Sequence, residues 1–156
     1  MELNKELKLP VPEGFHVMDE EEVSRLRLLE EGPFVGLSDP ERHMMITVGW
    51  KQLGSLTALM VNAGNVSRNT EKTIRRAMVQ MGYHCEGFRE RQIAGAGAAG
   101  FRYKYNAQNT DMVAESLVVK LNKTVYYFHV YARAAVREES LSCWEDILNA
   151  AERIEE

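Results

Sequence analysis

Little in this chain announces a specialised chemistry, and the absences narrow the field. Cysteine occurs only at Cys85 and Cys143, far apart in 156 residues. Two ordinary buried thiols in a reducing compartment are therefore a better reading than a disulfide. The four histidines, His16, His43, His84 and His129, never fall at the i, i+3 or i+4 spacing of a helical metal site. His84 and Cys85 are neighbours, but on a strand they point to opposite faces. A basic surplus is missing too. The net charge of −4 argues against nucleic acid as a partner and gives no reason to expect attraction to anionic membranes. No stretch approaches the roughly 18 apolar residues of a membrane helix, so direct membrane insertion is not expected. The opening MELNKELKLPVPEGF has no apolar core behind a basic stretch, and a cytoplasmic protein is expected. No serine sits in a nucleophile elbow, since Leu53-Gly54-Ser55 lacks the flanking pattern. No catalytic residue, metal ligand or cofactor is nominated, and the chain reads as non-enzymatic.

What is present is architecture. A hydrophobic share of 45% and a charged share of 27% suit a globular protein. The length suits a single domain over residues 1–156 with a real core. The stretch Met112–Arg133, MVAESLVVKLNKTVYYFHVYAR, reads as two strands around a turn at Asn122-Lys123. With Leu121 opposite Thr124, one face collects Val113, Leu117, Val119 and Leu121 with Tyr126, Phe128, Val130 and Ala132. Glu115 and Thr124 are out of character there; Glu115 is either buried with a counter-charge or at a sheet edge. The other face mixes Met112, Ala114, Ser116, Val118 and Lys120 with Val125, Tyr127, His129, Tyr131 and Arg133. A sheet with one dry face needs a second layer upon it.

The remaining chain supplies that layer and further strands. Residues 3–9 alternate weakly and stop at Pro10 and Pro12, as an edge strand would. Asp19, with Glu22 three residues on, forms a capping box for a short acidic helix that Gly32-Pro33 ends. Pro33–Ser38 and Arg42–Lys51 are two strands around Ser38-Asp39-Pro40-Glu41, with Met44, Ile46, Val48 and Trp50 toward the core. Ser55–Val61 holds one or two helical turns. Asn69 or Thr70 caps the next helix, whose Ile74, Ala77, Met78 and Met81 form one stripe up to Gly82. Tyr83–Ala94 is extended, and Phe101, Tyr103 and Tyr105 alternate with Arg102, Lys104 and Asn106 as a half-exposed strand. Leu141, Trp144, Ile147 or Leu148, Ala151 and Ile154 mark a terminal helix for the dry face. The expected fold class is α+β, an antiparallel sheet with helices packed on one face.

Two motifs tempt and are set aside. Gly95-Ala-Gly97-Ala-Ala-Gly100 satisfies G-x-G-x-x-G, but a dinucleotide site needs a helix next, and FRYKYN alternates like a strand. A turn between strands explains these residues more simply. The bases Arg68, Lys72, Arg75, Arg76, Arg89 and Arg91 outnumber Glu71, Glu86 and Glu90 by three, a surplus that could meet an acidic partner but is more simply a solvated helix face.

The residues LPVPEGF, GPFVGLSDPERHMMITVGWK, RQIAGAGAAGFRYKY, TVYYFHVYA and CWEDILNAAERI, with the order of elements, resemble the PsbP/Mog-like α+β superfamily. That resemblance covers nearly the whole chain. It implies binding or assembly more than catalysis: photosystem members stabilise a membrane complex, Mog members bind a small GTPase, and Eag-type bacterial members chaperone membrane segments of secreted toxins. The last, a cytoplasmic secretion chaperone, is the nearest functional analogy for a bacterial protein without a leader. It carries over no site residue. The partner expected is another polypeptide, and the candidate contacts are Tyr127, His129 and Tyr131, with Arg133 and Met112 beside them, because interfaces favour aromatics with polar tips. Two other readings stay open: a small-molecule or catalytic pocket beside the sheet, and a homodimer or larger homo-oligomer formed through the same face.

Overall fold

The computed structural model describes residues 1–26 and 32–155. Its framework is a seven-stranded antiparallel sheet in the order β3-β4-β5-β9-β8-β7-β6. These strands are β3 (His16–Val17), β4 (Phe34–Asp39), β5 (Met44–Gln52), β6 (His84–Ile93), β7 (Ala96–Ala107), β8 (Thr110–Leu121) and β9 (Thr124–Arg133). The β8–β9 hairpin lies at the centre in the expected register, with Leu121 opposite Thr124 and Ser116 opposite His129. Asn122 takes a positive φ of 54° at the turn, a conformation asparagine tolerates well.

The dry face is dry. Val113, Leu117, Val119, Tyr126, Phe128, Val130 and Ala132 are fully buried, and β5 adds Met44, Ile46 and Val48. Helix α4 (Arg137–Asn149) covers them with Leu141, Trp144, Ile147 and Leu148. Each large side chain so buried contributes about 2 kcal/mol. The chain then leaves the helix. Glu152–Arg153 forms a short strand β10 that pairs with β2 (Leu7–Lys8), which also pairs with β1 (Glu2–Leu3). The terminal helix read through Ile154 therefore stops at Asn149. Likewise the single strand read at 3–9 is a tight hairpin, bent by positive φ at Asn4 and Lys5, that sends Leu3, Leu7 and Leu9 into the core.

Glu115, 0% exposed, resolves its own puzzle. Arg89 donates to its Oε1 and Arg102 donates to its Oε2 at 2.9 Å, while the Trp144 indole N–H donates at 3.1 Å. Arg89 and Arg91 also reach Glu145 on α4. The counter-charges come from strands β6 and β7, and the helix above adds a neutral indole donor, so one carboxylate ties strands and helix together. A buried ion survives only with such partners.

The opposite face is also covered over β7 and β8. Helix α3 (Ala63–Ala77) lies there, and Phe101, Tyr103 and Tyr105 are buried beneath Ile74, Met78, Met81 and Tyr83 rather than half exposed. This helix starts before Asn69 or Thr70: Asn62 caps it by accepting from the Asn65 amide at 2.9 Å. Other local readings hold. Asp19 accepts from the Glu22 amide at 2.9 Å and Glu22 accepts from the Asp19 amide at 3.2 Å, opening α1 (Glu20–Leu26). The end of that helix before Gly32-Pro33 falls on residues 27–31, outside the described residues. Asp39 accepts from the Glu41 and Arg42 amides in the β4–β5 turn.

The glycine motif is a turn and a packing point. Ala94 and Gly95, both at positive φ, join β6 to β7. A side chain at Gly100 would overlap the Ser116 carbonyl oxygen on β8, so only glycine lets these strands close.

Candidate functional site

The five candidate contacts do share one face, and the strands place them differently on it. Tyr127, His129, Tyr131 and Arg133 follow one another along β9, with Val118, Ser116, Ala114 and Met112 opposite them on β8. On the other side, β5 brings Gly49, Thr47 and Met45 beside Tyr127, His129 and Tyr131. Arg133 is exposed, and Tyr127, Tyr131, Met112 and Met45 are half-buried. His129 is only 7% exposed, with its ring stacked on Tyr131 at 6.2 Å. Burial pushes its imidazole down to about 4, so it is neutral at physiological pH. His129 lies beside Tyr131 on the same face of β9, with little of its ring accessible. Tyr131 and Met112 lean on the aromatic cluster of β7. That cluster is a ladder in which Phe101, Tyr103 and Tyr105 follow at 5.6 and 5.8 Å, close to the spacing at which tilted rings attract.

The other end of this face, near the hairpin tip, carries a second feature. Helix α2 (Ser55–Met60) follows β5 directly. Lys120 points out from the face and donates to the carbonyls of Ala58 and Val61, the latter at 3.0 Å. Lys123 at the tip donates to Ser55 Oγ at 2.9 Å, and the Leu53 amide donates to the Lys123 carbonyl at 2.7 Å. These bonds fix α2 with its small Ala58 inward and its large side chains outward. Leu56, Leu59 and Met60 are 79%, 84% and 83% exposed. Their i, i+3, i+4 spacing was the available signal, but such a stripe ordinarily faces a core.

Two open hollows flank the sheet. One of about 430 Å³ lies between Ala63 and Gly64 of α3 and residues of β6 and β7, including Glu90 and Arg91. The other, of about 550 Å³, is lined by Asn4, Gly32, Pro33, Trp50, Lys51 and Gln52. The groups whose titration burial displaces most, His129, Tyr83, Tyr105 and Tyr126, line neither of them. Among the described residues no group of three or more His, Cys, Asp or Glu side chains is placed to hold a metal ion. Both thiols are free and partly buried, and burial raises Cys143 above the usual thiol range. No helix among the described residues is long and apolar enough to cross a membrane.

The chain matches no protein-family model and no curated protein sequence. Solved structures match it in shape. A protein involved in cell envelope biogenesis of Mycobacterium tuberculosis, LpqN, superposes with a TM-score of 0.66 at 13% identity, over 94% of this chain and 82% of that one. Cyanobacterial PsbP (CyanoP) from Synechocystis gives 0.63 at 16% identity, over 96% and 93%. A point mutant of Mog1 gives 0.59 at 9% identity, over 96% and 91%. The fold is therefore PsbP/Mog-like, an α+β domain around a seven-stranded antiparallel sheet. At these identities the likeness concerns the fold alone.

Proposed function

We propose that this protein is a non-enzymatic polypeptide-binding module, an adaptor or a secretion-chaperone-like protein acting in the cytoplasm. The observation that carries the reading is the half-open state of the outer face. Tyr127, Tyr131 and Met112 remain partly accessible, with Arg133 exposed beside them, while the dry face of the same hairpin is closed. Tyrosine and arginine are among the side chains enriched at the energetic centres of protein interfaces. The buried, neutral His129 stacks beside Tyr131 without adding charge to the contact. The β9 end of the face is the docking area, with specificity from the exposed guanidinium.

Native mass spectrometry on protein purified gently from its source cells tests this reading. The expected result is an added mass of polypeptide size that Arg133→Glu reduces severalfold. A doubled mass would make the partner a second copy of the chain. A small added mass would move the site to a ligand pocket, and the reading would fail.

A further inference from the structure

Helix α2 stands out as an apolar projection with lysines beside it. Leu56, Leu59 and Met60 are each about four-fifths exposed, so they protrude rather than line a groove. A protruding apolar ridge cannot wrap a peptide, but it can enter a soft apolar medium. Contiguous exposure of this kind marks an interaction site on a protein otherwise well packed.

Among the described residues, lysines predominate around it. No aspartate or glutamate occurs between Glu41 and Glu71, nor between Glu115 and Glu138, and these segments supply α2, its flanks and the hairpin tip. On the outer face Lys51 and Lys120 pair with Val125 from either side, which sets them in one row across β5, β9 and β8. The Lys120 ammonium is held by the α2 carbonyls, while Lys51 and Lys123 are exposed, the latter bonded to Ser55. Among the described residues, two acids bound the region at its sides. Glu6 meets Asn122 and Tyr126 from the dry side, and Glu90 faces Ala63 and Gly64 across the first hollow.

We propose that α2 seats the protein reversibly on an anionic bilayer surface. Leu56, Leu59 and Met60 enter the boundary between headgroups and acyl chains, and Lys51 and Lys123 meet anionic headgroups. Apolar side chains and lysines act together in such interfacial binding, and neither suffices alone. The net charge of −4 gives no hint of this, because surface attraction within a Debye length depends on local charge. This assignment uses the hairpin-tip end of the outer face and does not depend on polypeptide binding at Tyr131 and Arg133.

Co-sedimentation with phosphatidylcholine vesicles, with and without phosphatidylserine, is the test. The intact protein should pellet with the phosphatidylserine vesicles at low salt and be released by high salt. The Leu56→Ser, Leu59→Ser, Met60→Ser triple variant should bind at least about tenfold more weakly. Lys51→Glu with Lys123→Glu should do the same, and far-ultraviolet circular dichroism should show all variants folded. Failure of the wild-type protein to pellet, or equal pelleting by the triple variant, overturns the proposal. Binding that is indifferent to phosphatidylserine overturns it as well. If the triple variant instead loses a co-purifying polypeptide while the wild type ignores both vesicles, α2 belongs to a protein interface.

Discussion

The two faces of the β8–β9 hairpin are built from the same strands, residue by residue in alternation, and they end in different states. On one, Leu117, Val119, Tyr126, Phe128 and Val130 are sealed under α4, and even Glu115 is closed in by Arg89, Arg102 and the Trp144 indole. On the other, Tyr127 and Tyr131 keep part of their surface in water, and α2 turns its leucines outward. The sealed face accounts for stability. The half-open face is where the chain leaves apolar surface accessible. Pleating alone separates these roles, because neighbouring residues of one strand point to opposite sides.

Substitutions can sharpen that contrast. Glu115→Gln should have the largest effect, a loss of about 3–5 kcal/mol in urea unfolding, because Arg102 stays behind without its counter-charge and Arg89 keeps only Glu145. An unchanged midpoint would mean that water replaces the carboxylate at no cost. Phe128→Ala, on the dry face, should also cost about 3–5 kcal/mol. Its neighbour Tyr127→Ala, on the outer face, should cost less than about 2 kcal/mol, and equal losses would erase the distinction.

His129 gives the comparison a pH dependence. Its folded pKa of about 4 lies below the ordinary value of 6.5. As pH falls below that ordinary value the unfolded chain takes up a proton that the folded chain refuses, so stability drops until the folded pKa is reached. Between pH 6.5 and 5 the loss from this group should be about 2 kcal/mol. His129→Gln should flatten the profile by that amount. Parallel profiles for wild type and variant would show that the imidazole titrates elsewhere. The smallest effect belongs to Leu56→Ser, which should change stability by less than about 0.5 kcal/mol, since the side chain touches little in the folded protein.

Much of this was legible in the chain because alternation is a strong signal. The hairpin register, the apolar set on its dry face and the Trp144 helix follow from period and turn residues alone. The rest required long-range neighbours. Phe101, Tyr103 and Tyr105 alternate with polar residues as a half-exposed strand does, yet α3 covers them, and nothing local says which helix crosses which strand. The start of α3 is masked in the sequence because Asn62 precedes Gly64 and Asn65, residues that suggest a loop, whereas the Asn62 side chain satisfies the Asn65 amide and begins the helix. Ile154 keeps helical spacing, but the adjacent pair Glu152–Arg153 finds a strand partner in β2, and pairing outweighs local period. His129 was legible as a neighbour of Tyr127 and Tyr131; its burial was not, since alternation assigns a face without saying what covers it.

The most direct test of the account compares the wild type with the Tyr127→Ala, Tyr131→Ala double variant by native mass spectrometry and by thermal melting. The account predicts that the variant melts as a folded protein and no longer carries the co-purifying polypeptide. A variant that unfolds, or one that stays folded with its partner still bound, would contradict the assignment of the half-open face to binding.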